Sequence, residues 1–402
     1  MANSTACKAC VIFVVILLAA GGGILAWQLL SKDDNDGSME TGDKGGLFGT
    51  GLFAANNNNA SSTTDSSSTV TSTLAPTMSM APSAAPSAMP FEYEYRFNRC
   101  TPDAAQCCNG LENLCNWPVN DILFGIPHNA MATNDVFLVP NQLRPVEEAL
   151  EAGFRGINVD FCVCQGLVKL CHGFCGLGEV DPKEFLERVV TFMDQPENQN
   201  DVFLLTMELN SDAGQTVDLN VIYDTVLTQV EGFTDNLYVH EGPGEPWPTL
   251  GTLIANNKRL IAFHFNGPDC SEAASCPDGM HYYFQYAQET PFDMPSIDSI
   301  LDKETSCIIT RGATTTDGSF FGVNNFVEAS AFDLDNQLEA ATQANSLEFA
   351  KEHIEACSRI KQDGVYYGDP NVNLLYVDFW HVGNIVQLVQ EHNQRLGEYT
   401  GN

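Results

Sequence analysis

Positive charge is scarce in this chain. Its 402 residues carry 18 Lys+Arg against 52 Asp+Glu, a formal net charge of −34. The shortage excludes nucleic acid as a partner, because phosphate neutralisation by Lys and Arg supplies most of that affinity. It also predicts repulsion from anionic membrane surfaces unless a cation mediates. Long hydrophobic runs are equally scarce, and Val11–Leu30 stands alone among them. Internal repeats are absent, which excludes solenoid and propeller arrays. Common zinc spacings are missing too. Cys162-x-Cys164 and Cys171-x3-Cys175 could be forced into a cluster, but they fit no usual zinc pattern.

Cysteine itself is plentiful, at 14 residues. Cys7 and Cys10 precede the apolar run, and an even number lies beyond it, from Cys100 to Cys357. Outside the cytosol this reads as a disulfide framework whose pairing the sequence leaves open.

The layout is sequential. Residues 1–10 form a short N-terminus with Lys8, and 11–30 form a transmembrane signal-anchor of sufficient length to span a bilayer. Asp33, Asp34 and Asp36 follow the apolar run, so the charge bias keeps the N-terminus cytoplasmic and the rest extracellular or lumenal. The alternative is a signal peptide, cleaved to release a secreted protein. In the anchored case Cys7 and Cys10 are juxtamembrane thiols open to palmitoylation. Residues 31–90 are rich in Ser, Thr, Ala, Asn, Gly and Pro and cannot bury enough surface to fold; they read as a disordered stalk, with a glycosylation sequon at Asn59.

Residues 91–396 are globular in composition, and 397–402 form a tail. A helix is expected from Arg144 to Gly153, with Pro145 in its first turn and Gly153 just past its end. Asp181 and Pro182 open another, with Glu184 completing a capping box. Strands are expected at 202–209, 259–265, 307–310, 320–323 and 374–379, and helices at 346–360 and 383–392. Strands alternating with helices favour an α/β fold of the (β/α)8 barrel type, whose functional residues gather past the carboxyl ends of the strands.

The stretch 121–209 shows what would gather there. Short apolar runs lead to His128 and Asn129, to Asn158 and Asp160, to His172, and to Glu208. The motifs GIPHNAMA, GFRGINVDF, LCHGFC and FLLTMELN, with LLYVDFW later, resemble the X region of phosphatidylinositol-specific phospholipase C and the related PLC-like phosphodiesterases. The resemblance implies a distorted TIM barrel and phosphodiester cleavage. It implies His128 and His172 as the acid–base pair, and Asp378 as the group orienting His128. It further implies Asn129, Asp160 and Glu208 as calcium ligands, with Asn158 where the family has an acidic residue. Asn158 can still ligate through its carbonyl, without charge. In metal-free members an Arg occupies the position of Asp160, so a divalent cation, Ca2+, is expected here.

Arg155 is a candidate phosphate contact, and Lys258, Arg259 and Arg311 are further scarce cations any of which could read a phosphorylated headgroup. His264 ends a strand and is a candidate for the mouth. No PH, EF-hand or C2 module is recognisable. The leading expectation is a phospholipase C acting on an inositol-containing phospholipid. The rivals are another phosphodiesterase of the superfamily, of glycerophosphodiester or sphingomyelin type, and an inactive surface binding module; the His128–Asn129 step speaks against the glycerophosphodiester type.

Overall fold

The computed structural model describes residues 100, 106–209, 211–212, 215–268, 270, 276–312, 320–328, 333–358 and 372–396. The expected anchor, stalk and tail lie outside the described residues, as do Cys7, Cys10 and Asn59. No helix among the described residues is long and apolar enough to cross a membrane.

Thirteen strands are described. They are β1 Phe124–Pro127, β2 Gly156–Cys164, β3 Leu167–Cys171, β4 Glu179–Val180, β5 Phe203–Leu209, β6 Ser211–Asp212 and β7 Gln215–Thr216, then β8 Leu260–Phe265, β9 Met280–Tyr282, β10 Ala287–Glu289, β11 Arg311–Gly312, β12 Phe320–Asn324 and β13 Leu374–Val377. Two larger sheets result, in the orders β1-β13-β12-β10-β11 and β4-β3-β2-β5-β8-β9. Parallel pairing runs through β1, β13, β12 and β10 in one, and through β2, β5, β8 and β9 in the other. These eight parallel strands match the number expected of the barrel, although β9 and β10 are not among the expected strands. Among the described residues, however, their ladder is interrupted between β1 and β2 and between β9 and β10, so no closed barrel forms. At the first seam the backbones pack hard together. A Cβ on Gly156 would lie 2.3 Å from Ile126 and 3.1 Å from the Gly125 carbonyl.

The two-residue period of a strand sorts the side chains. Ile157, Val159 and Phe161 stand in register with Leu205, Met207 and Leu209. All six join the core formed with Phe185, Leu186, Val189 and Met193 of the helix Pro182–Met193. Each such buried side chain contributes roughly 1.5–3 kcal/mol. Their alternates face inward, where Phe124, Ile126, Leu204, Phe263, Phe320 and Tyr376 fill the interior. Asn158 and Asp160, in register with Thr206 and Glu208, continue that inward row toward the carboxyl ends. The helices Leu347–Cys357 and Ile385–Leu396 cover the outer face of β12 and β13 through Ile354, Val386 and Leu388 against Val323, Leu375 and Val377.

Local signals worked at one helix start and at one helix end. Asp181 caps its helix by accepting from the Lys183 and Glu184 N–H groups. The helix Val146–Ala152 ends at Gly153, whose φ of 121° suits glycine. Two strand expectations need correction. LCHGFC does not end a parallel barrel strand: β3 returns antiparallel on β2 after a tight turn at Gln165 and Gly166, both at positive φ. Residues 307–310 form no strand either. Cys307 closes the short helix Lys303–Ser306, where its disulfide to Cys357 holds it, and strand pairing starts only at Arg311.

The disulfide framework is as expected. Among the described residues, six bridges join Cys100–Cys107, Cys108–Cys115, Cys162–Cys171, Cys164–Cys175, Cys270–Cys276 and Cys307–Cys357. The zinc alternative for Cys162, Cys164, Cys171 and Cys175 falls, because these residues pair with one another.

Candidate active site

His128 follows β1 directly, its N–H donating to the Val377 carbonyl of β13 at 2.9 Å. The adjacent strand end therefore delivers Asp378 to the same place. His128 Nδ1 lies 2.9 Å from Asp378 Oδ1. Asn141 donates to both Asp378 oxygens at 3.2 Å, and Asn345 donates to the Asp378 carbonyl at 2.8 Å. The ring of His128 stacks on Phe326, with centroids 4.2 Å apart and planes inclined by 6°. Held on one edge by a carboxylate and on one face by Phe326, the imidazole has a fixed orientation, with Nδ1 donating and Nε2 directed elsewhere.

His172 comes from the other sheet. The bridges Cys162–Cys171 and Cys164–Cys175 tie the β2–β3 hairpin to the loop that carries it. Its Nδ1 lies 3.0 Å from the Val139 carbonyl, which can only accept, so Nδ1 carries a proton and Nε2 is left for chemistry. Burial holds this imidazole below its ordinary range; the Val139 hydrogen bond opposes that, and the His128 and Asp378 charges act on it in opposite senses. The structure thus brings the two histidines and Asp378 within electrostatic reach of one another.

Next to His128 lie the candidate oxygen ligands. Asn129 sits at a positive φ of 45°, a conformation asparagine tolerates. Its N–H donates to Asn158 Oδ1 at 2.9 Å, and Asn158 Nδ2 donates to Thr206 Oγ1 at 3.2 Å. Asn158 therefore fixes the His128–Asn129 turn, and one lone pair of its carbonyl oxygen is already engaged. The Asn129 amide nitrogen donates to both Asp160 oxygens at 2.9 and 3.0 Å, and its oxygen lies 3.3 Å from His128 Nε2. The side-chain oxygens of Asn129, Asn158, Asp160 and Glu208 are of the kind that a hard divalent ion such as calcium takes. Glu208, in register with Asp160, supplies a further carboxylate, one oxygen of which accepts from Asn266 at 3.0 Å.

Several expected cations lie elsewhere. Arg155 is not at the mouth. It precedes β2 at the opposite end, buried, with Nε and Nη2 on Asp201 at 2.9 and 2.7 Å, so it serves the fold and not a substrate. Arg259 is likewise buried, bonded to the Met193 and Asn198 carbonyls and to Asp194. Lys258 donates to the Asp235 carbonyl. His264 points away from the interior, in register with the outward Met207, and is fully buried. Arg311 alone of these reaches the strand ends, pairing with Glu289 at 3.0 Å and lying over Phe292 at 4.3 Å.

Glu289 is a site feature the sequence reading missed. It ends β10 and accepts from Asn324 at 2.8 Å. Burial raises its carboxyl above the ordinary range, with Arg311 and Asn324 opposing and Glu208 adding to the rise. Asn141, Thr206 and Phe326 were also missed. Thr206 lies within FLLTMELN, where its register beside Asn158 reveals it, and Asn141 and Phe326 lie in no motif, so only the loop packing reveals them.

Residues 114–393 match the family model described as PI-PLC X 1. The chain belongs to the PI-PLC X family. It is similar to PI-PLC X domain-containing protein 1 of Arthroderma benhamiae, at 26% identity over 71% of this chain and 89% of that one. It is also similar to an uncharacterized secreted protein of the same fungus, at 24% identity over 75% of this chain and 66% of the relative. Among solved structures it resembles the phosphatidylinositol-specific phospholipase C of Listeria monocytogenes, with 14% identity, a TM-score of 0.48 and 69% and 95% of the two chains covered. A mutant of the Staphylococcus aureus phosphatidylinositol-specific phospholipase C matches with 12% identity and a TM-score of 0.47, again over 69% and 95% of the two chains. Membership of the family makes this a PLC-like phosphodiesterase domain.

Proposed function

We propose that this PI-PLC X domain is a phospholipase C that cleaves a phosphatidylinositol-like lipid by histidine acid–base catalysis. The observation that carries the reading is the pair of imidazoles within electrostatic reach of each other, each tethered through Nδ1: His128 to Asp378 at 2.9 Å and His172 to the Val139 carbonyl at 3.0 Å. Such tethers set both Nε2 atoms as proton carriers.

His128 Nε2 accepts the proton of a substrate hydroxyl, the inositol 2-hydroxyl, as its oxygen attacks phosphorus. Asp378 stabilises the imidazolium that results and keeps the ring in the productive tautomer. His172 Nε2 delivers a proton to the departing diacylglycerol oxygen, so the lipid leaves as an alcohol and a cyclic phosphate forms first. Asn129, Asp160 and Glu208, with the remaining lone pair of Asn158, would hold calcium, which supplies positive charge to offset the developing negative charge on phosphorus.

The rim supports a lipid substrate. Leu138, Phe174 and Val136 are 71%, 50% and 45% exposed, and the Leu138 N–H bonds to the Leu177 carbonyl, so both loops flanking His172 present apolar side chains together. Apolar contact suits a chain too acidic to rely on electrostatic attraction to a membrane. In this reading residues 11–30 anchor the domain at the outer face of a membrane. Six disulfides and a relative described as secreted agree with a place outside the cytosol.

The test is turnover of phosphatidylinositol by the wild-type protein and by His128→Ala and His172→Ala. Loss of turnover in each variant, with folding intact, is expected. Full turnover in either would overturn the mechanism.

A further inference from the structure

We propose that the Cys270–Cys276 disulfide is a thiol-exchange site, at which a low-molecular-weight thiol is captured on Cys276 while His264 assists the departure of Cys270. The selection begins with access. Cys162, Cys164 and Cys171, Cys108 and Cys115, and Cys307 and Cys357 are buried. Among the described bridges, both partners are partly exposed only in Cys100–Cys107 and Cys270–Cys276. Of these two bridges, the second has an imidazole against it.

His264 Nε2 lies 3.3 Å from Cys270 Sγ and 3.9 Å from Cys276 Sγ. Its Nδ1 is buried without a partner. That atom packs beside Gly267, where an added Cβ would approach it to 2.8 Å. An imidazole so placed puts its single proton on Nε2, aimed at sulfur. Burial pushes its pKa down to about 4, with the His281 charge acting in the same direction, so the ring stays neutral and remains a hydrogen-bond donor. No step in the proposed phosphodiester chemistry uses it.

The exchange follows from that geometry. An external thiolate attacks Cys276 Sγ, and a new S–S bond forms there as the Cys270–Cys276 bond breaks. The electron pair leaves on Cys270 Sγ, the sulfur nearer to His264, where the Nε2 proton stabilises it. Solvent then protonates the Cys270 thiolate. The net change is one disulfide plus one thiol giving one mixed disulfide plus one thiol. A neighbouring donor lowers the thiol pKa of the leaving sulfur, and a lower leaving-group pKa accelerates exchange. The bridge Cys307–Cys357 also has a histidine nearby, His353, but all three residues are buried and an external thiol cannot reach them. The exchange site also adjoins the candidate active site. The connection after β8 that the bridge closes begins with Asn266, the donor to Glu208.

The experiment treats the native full-length protein with glutathione at mildly alkaline pH, alkylates the liberated thiols at timed intervals and maps them by peptide mass spectrometry. Glutathione on Cys276 and alkylation of Cys270 should appear before the other five bridges open. His264→Leu should slow that step about tenfold while the circular dichroism spectrum stays unchanged. Earlier opening of Cys100–Cys107, glutathione on Cys270 in place of Cys276, or an unchanged rate in a folded His264→Leu protein would each overturn the proposal. Should that variant fail to fold, the wild-type order of opening and the cysteine that carries glutathione still decide it.

Discussion

Replacing Asp378 by asparagine isolates the tether that aims His128. The shape of the side chain is conserved, but one oxygen becomes an amide nitrogen. Asn141 Nδ2 now lies 3.2 Å from both carboxylate oxygens, and His128 Nδ1 lies 2.9 Å from one of them. An asparagine amide cannot accept at both positions. Its nitrogen must face either the Asn141 amide nitrogen, which leaves two donors opposed, or His128 Nδ1. In the second case Nδ1 must accept, the proton moves to Nε2, and the ring can no longer act as a base. The lost charge-assisted hydrogen bond is worth about 1.5–3 kcal/mol. That corresponds to roughly a 10- to 150-fold fall in kcat. Substrate binding does not involve this bond, so KM should move little. Steady-state kinetics on a soluble inositol phosphodiester, beside circular dichroism of the variant, measures the effect. A folded Asp378→Asn protein with wild-type kcat would refute the assigned role of the pair.

Arg155→Met should destabilise the fold by about 3–5 kcal/mol, because Asp201 is left buried without its partner, yet kcat per folded molecule should be unchanged. A denaturant titration and an active-site-normalised rate check both halves, and a selective loss of kcat would return Arg155 to the mouth. Leu138→Ser with Phe174→Ser should lower turnover of vesicle-bound lipid severalfold and spare a soluble short-chain substrate; equal losses on both would remove the rim from the account. Stability should also fall with acid in a defined window. His264, His281 and His353 are buried and pushed down to about 4 from 6.5. Below pH 6.5 the unfolded chain binds protons that the folded chain refuses, so stability declines from pH 6.5 toward 4. One pH unit below 6.5 costs roughly 1.4 kcal/mol for each of them. Glu289, with its raised carboxyl, works in the opposite direction. A urea midpoint at pH 5.5 equal to or above that at pH 7.5 would contradict this.

Much of the arrangement was legible in the sequence because it is local. Asp181 and Pro182 cap and start a helix through neighbouring N–H groups, and four short motifs mark where β1, β2, β3 and β5 end. What failed was non-local. Arg155 sits next to a strand carrying Asn158 and Asp160, but at the end away from the mouth, and only the partner Asp201 shows it. His264 ends a strand as expected, yet the register opposite Met207 turns it outward. Glu289 ends a strand of three residues, too short for any periodicity to announce. The turn at Gln165 and Gly166 makes β3 a hairpin return, so His172 reaches the site by a route that barrel alternation does not foresee. The Cys162, Cys164, Cys171 and Cys175 pairing depends on that same hairpin register, which the spacing alone cannot supply.

The most direct test of the central claim follows the products formed from phosphatidylinositol by phosphorus NMR, with calcium and with a chelator, for the wild type and for His128→Ala and His172→Ala. The account predicts a cyclic inositol phosphate from the wild type with calcium, little with chelator, and none from either variant. Cyclic product in both conditions would keep the histidines and remove the cation. Absence of any phosphodiester product from the folded wild-type protein with calcium would contradict the proposed function itself.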